Sequence, residues 1–231
     1  MSQQNQIEKT KNVPYYSWMS LAITLCPLIP IPFIDFFLEP FLAKQMFSRT
    51  NLKKKDIPLF ATKNDSFCLG CLWGILSGVF FFVLKPLRII RLFLRFHTYL
   101  KNFQYWLYKC YITDRTIDIL EESILDDRER MSDFADALDI ELRKGELGIT
   151  MRDNLQQMVT DNGVIKTLRS WWRMLRTLNT ESEEDDKMLD GESKNLSPMN
   201  FIQRSIELDE DKIVHFIASW RDKSEVKNKK I

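Results

Sequence analysis

The sequence predicts an all-α protein in which a membrane-embedded helical region is followed by a soluble, acidic helical region. Three observations predict it. The first is a division of charge along the 231 residues: positions 1–112 carry 14 Lys/Arg against 5 Asp/Glu, and positions 113–231 carry 19 against 27. The net charge of +1 hides this split, and the first part also holds 13 of the 16 Phe, all 6 Tyr and 7 of the 8 Pro. Such asymmetry directs the basic half toward a membrane or nucleic acid and leaves the acidic half in water. The rival account is that the halves neutralise each other within one fold. The second observation is the run Phe67–Leu84, FCLGCLWGILSGVFFFVL, whose one clearly polar side chain is Ser77. The third is the helical spacing of apolar residues beyond Thr113.

Residues 1–12 are polar and predicted to be disordered. The four cysteines, Cys26, Cys68, Cys71 and Cys110, all lie in the apolar half and do not form the framework of a small secreted domain. No signal-peptide pattern is visible in the first residues.

Residues 13–112 form the predicted membrane-associated region. Tyr15, Tyr16 and Trp18 open it, the amphipathic aromatics that suit a lipid interface. Trp18–Cys26 is too short to span a bilayer, and Pro27, Pro30 and Pro32 end regular helix there. Phe33–Phe47 is helical again, with Pro40 kinking it. Two short apolar helices joined by a proline elbow give either a hairpin dipping into lipid or two core helices of a globular domain. Asp35 and Glu39 share one helix face as a buried acidic pair. Carboxylates in a membrane are functional candidates; otherwise they sit at headgroup level or pair with Arg88 or Arg91.

Lys53, Lys54 and Lys55 form a basic cluster that would contact lipid phosphates, or a solvated loop. Phe67–Leu84 as a helix would be ~27 Å long, enough for a hydrocarbon core. Gly70, Gly74 and Gly78 recur every fourth residue there, a stripe for close helix packing or self-association. Cys68 and Cys71 lack the second ligand pair a metal site wants. From Leu87 to Tyr111, Arg88, Arg91 and Arg95 share a face that would contact lipid phosphates. The apolar residues around them, with Tyr99, Tyr105, Trp106, Tyr108 and Tyr111, describe an in-plane interfacial helix or, alternatively, a core helix.

Residues 113–178 form a helical region facing the cytosol. Thr113 or Thr116, Ser132 and Thr150 are the expected helix caps. Val164–Leu178 is a second basic amphipathic piece. Residues 179–198 are an acidic flexible linker, and residues 199–231 a final helix with a basic tail.

Chemistry is not visible. There is no phosphate loop, no His-Glu-x-x-His and no nucleophile elbow, and the two histidines, His97 and His215, are isolated. No residue set supports an enzyme, one acting on lipid included, and none implies a cofactor or metal. The expectation is a membrane-anchored helical scaffold or adaptor that binds a protein partner through its soluble half. Its partners would be anionic membrane lipids and a protein or second copy, without nucleic acid, at a membrane with the soluble half in the cytoplasm. The alternatives are a small transporter or channel component using Asp35 and Glu39, and a soluble all-α binding protein with the apolar helices as core.

Overall fold

The computed structural model describes residues 12–26, 34–62, 96–144, 147–162 and 198–228. In chain order these form α1 (Val13–Leu25), α2 (Ile34–Phe47), α3 (Ile57–Ala61), α4 (Phe96–Ile119), α5 (Glu122–Leu125), α6 (Arg128–Lys144), α7 (Ile149–Asn162) and α8 (Pro198–Asn228). Helix accounts for 87% of the described residues, and none of them lies in a strand. The all-α class therefore holds.

Among the described residues, no helix is long and apolar enough to cross a membrane. Phe67–Leu84 and its glycine stripe lie outside the described residues.

Helix α4 organises the rest. Helices α1, α6, α7 and α8 all pack on it, while α2 packs on α1 and α3 joins α2 to α6. Enclosure on several sides leaves every residue from Phe103 to Ile112 buried, together with Thr113 and Thr116. A helix buried on every side belongs in a core. This corrects the interfacial reading of Tyr105, Trp106, Tyr108 and Tyr111, whose rings face protein. Burial of each large apolar side chain is worth about 1.5–3 kcal/mol. A second line of contact runs through the aromatics Phe47, Phe60 and Phe134 to Trp220, with successive ring centroids 6.0, 6.2 and 4.9 Å apart. It links α2, α3, α6 and α8, so residues of the basic half share one core with residues of the acidic half.

The expected breaks at Thr113 and Thr116 do not occur. Each hydroxyl donates to the carbonyl one turn back, Thr113 to Lys109 O at 2.7 Å and Thr116 to Ile112 O at 2.6 Å. Neither needs a helix end to be satisfied, and α4 continues through the charge boundary. Ser132 likewise sits inside α6, which Asp127 caps by accepting from the amides of Glu129 (3.0 Å) and Arg130 (3.3 Å). Pro14 and Pro198 stand in the first turns of α1 and α8, where a missing N–H costs least. On α1, Ser17 and Thr24 are buried and also bond one turn back, to Val13 O and Ser20 O.

Candidate functional site

The tyrosines of α4 meet carboxylates brought in by neighbouring helices. Tyr105 donates to Asp139 Oδ1 on α6 at 2.8 Å. Tyr108, one turn on, donates to Asp209 Oδ2 on α8 at 2.8 Å, and Tyr111 donates to Glu210 Oε2 at 3.0 Å. At the other side of the helix, Tyr16 of α1 donates to Asp114 Oδ2 at 3.0 Å. Burial pushes the hydroxyls of Tyr16, Tyr108 and Tyr111 well above their usual range, and the adjacent carboxylates add to the shift. They therefore remain neutral donors.

Two of these carboxylates are centres of larger networks. Lys109, fully buried, places Nζ 2.7 Å from Asp139 Oδ1, and it also donates to Tyr105 Oη (3.2 Å) and to Thr62 O (3.1 Å). Desolvation lowers the Lys109 pKa, and Asp139 opposes that shift. The network ties the end of α3 to α4 and α6. Asp209 is buried too, and accepts from Thr150 Oγ1 (3.0 Å) and Lys212 Nζ (2.9 Å) as well as from Tyr108. Thr150 therefore spends its hydroxyl on another helix rather than on a cap, because Asp209 is the stronger acceptor.

Beside the Asp209 network lies a groove of about 690 Å³ between α6 and α8. Its apolar surface comes from Ile140, Phe216 and Trp220, and Ile140 is 56% exposed. Lys144, Lys212 and Lys223 stand on its rim with Glu141 and Asp211. The α8 face that lines it adjoins the face buried by Ile202, Ile206, Ile213 and Ile217, and Asp127 caps the start of α6. Lys212 belongs to both groove and network, so the rim is tied to α4 through Asp209 and Tyr108.

The residues singled out in the sequence are placed as follows. Lys53 forms an ion pair with Asp126, and Lys55 Nζ donates to Asp126 O at 3.3 Å, while Lys54 is exposed. Two of the three lysines thus turn toward the acidic half. Asp35 and Glu39 lie one turn apart on α2, with Glu39 half-buried; the Asp35 side chain is outside the described set. Arg88, Arg91, Arg95, Gly70, Gly74 and Gly78 are outside the described residues. Among the described residues, no group of three or more His, Cys, Asp or Glu side chains is placed to hold a metal ion. Cys26 and Cys110 are buried, and the Cys26 thiol donates to Ala22 O at 3.2 Å.

Sequence reasoning missed the tyrosine–carboxylate pairs. A signal was present: Tyr105, Tyr108 and Tyr111 recur every third residue, a spacing that aims hydroxyls at successive neighbours around a buried helix. Comparison with protein-family models, characterised proteins and solved structures finds no match.

Proposed function

We propose that this protein is a non-enzymatic helical scaffold or adaptor that takes an amphipathic helix of a protein partner into the α6–α8 groove, while its basic half attaches it to an anionic membrane surface. One observation carries the partner reading: the groove presents Ile140, Phe216 and Trp220 together, with charges of both signs on its rim. A helix-in-groove partner buries an apolar stripe and pairs its flanking charges. Aromatic anchors such as Phe216 and Trp220 suit the centre of such an interface. The volume lies within the usual range for binding clefts, about 300–1,000 Å³. Membrane attachment is supported by the positive charge of residues 1–112 and by the lipid-compatible run Phe67–Leu84.

A photo-crosslinking residue at position 140, in the full chain expressed in cells, tests the groove. The expected result is one discrete adduct, competed by excess unlabelled chain but not by chain carrying Ile140→Asp. No adduct, or equal competition by the Asp variant, would contradict the groove. Membrane attachment is checked separately by washing isolated membranes with high salt and then with alkaline carbonate. Retention through the salt wash is expected, and recovery of the whole pool without any membrane fraction would contradict it.

A further inference from the structure

Helix α2 has two chemically different faces. Ala43, Met46 and Phe47 are buried against the rest of the fold. Phe37, Pro40, Phe41, Lys44 and Gln45 are exposed and recur at helical spacing on the opposite side. At 78% and 61%, Phe37 and Phe41 are the most exposed large apolar side chains described. The positions of Asp35 and Glu39 fall roughly opposite Phe37 at 3.6 residues per turn. Among the described side chains of α2, the exposed face therefore carries lysine and no carboxylate.

Helix α1 extends this face. Trp18 is exposed and shares a stripe with Tyr15, Ala22 and Leu25, at spacings of three and four. The Tyr15 hydroxyl donates to Gln45 O at 3.3 Å, which sets that stripe beside the exposed side of α2. Arg49, also exposed, lies 5.3 Å over the Tyr15 ring and adds a second cation at the border.

We propose that Phe37, Phe41 and Trp18, edged by Lys44 and Arg49, form an in-plane contact with the headgroup layer of an anionic membrane. Protruding aromatics suit a fluid lipid surface, and cations at their edge match lipid phosphates. No carboxylate among the described side chains of this face would repel those phosphates. Pro40 favours the same depth: it has no N–H to offer the Phe36 carbonyl, which needs water or headgroups rather than hydrocarbon. The inference rests on the membrane-attachment reading and specifies its contact residues, with no helix crossing the bilayer at this place.

The test is co-sedimentation of the full chain with phosphatidylcholine vesicles, with and without phosphatidylserine, for wild type, Phe37→Ser/Phe41→Ser and Lys44→Glu. Wild type is expected to bind the phosphatidylserine vesicles. The double substitution is expected to weaken that binding about ten-fold or more, since two apolar side chains leave the lipid. Lys44→Glu should weaken it on anionic vesicles only. Unchanged thermal melting is expected of all variants, because the substituted residues are exposed. Wild-type binding that survives the double substitution would overturn the face while leaving membrane attachment standing. Wild type that binds neither vesicle would overturn both. A drop in the light-scattering mass of the double variant, with unchanged vesicle binding, would assign the face to a second copy and overturn the lipid contact.

Discussion

Tyr16, Tyr108 and Tyr111 show what a phenol can do in a helical core. The ring supplies apolar area, and the hydroxyl satisfies a carboxylate that would be costly to bury alone. The same residue types suit a lipid interface, which is why composition pointed there. What decides between the two is the partner of each hydroxyl, and Asp114, Asp209 and Glu210 lie 98 to 101 residues away in sequence. Sequence spacing does not announce such partners. The arrangement has a pH consequence. The folded chain keeps these three protons at a pH where unfolded tyrosine, near 10.0, releases them. Below that pH the groups bind the same protons in both states and stability is unaffected. Above it the unfolded state is favoured, by about 1.4 kcal/mol per pH unit for each tyrosine. Ultraviolet titration of tyrosinate should therefore show a late class of at least these three, appearing with loss of helical circular dichroism. Titration of all six tyrosines near pH 10 in the folded chain would contradict the buried pairs.

Among the elements, helices were legible and their ends were not. Apolar spacing placed α6 and α8, because an amphipathic stripe survives whatever it packs on. Thr113, Thr116 and Thr150 misled as caps because a hydroxyl can also bond one turn back or reach another helix. The α6–α7 junction has its own determinant. Gly148 sits at φ +78°, and a Cβ there would come within 2.8–3.2 Å of the Gln104 side chain. That glutamine donates to Leu147 O at 2.7 Å, so the turn is held onto α4. Gly148→Ala is expected to destabilise by more than about 1 kcal/mol, through backbone strain and displacement of Gln104. Urea denaturation checks this, and an unchanged midpoint would mean that the turn relaxes freely. The groove was half legible. Ile140, Phe216 and Trp220 belong to the apolar residues at helical spacing beyond Thr113, but only packing shows that α6 and α8 leave Ile140 exposed and the two aromatics part-buried.

At the scale of the whole molecule, the charge division is partly resolved inside the fold. Lys53 and Lys55 hold Asp126, Lys109 Nζ lies 2.7 Å from Asp139 Oδ1, and the aromatic line from Phe47 to Trp220 joins the same two halves. The α-helical class follows directly from apolar periodicity. The way the halves meet does not, since it depends on pairs far apart in the chain. The central claim is that α4 is the core both halves share. Native-state hydrogen exchange of the lipid-free chain tests it most directly. The amides of residues 103–113 are expected to be among the slowest, exchanging only with global unfolding. Fast exchange there without lipid, with protection gained only when anionic vesicles are added, would contradict the account and return the aromatic stretch to the membrane.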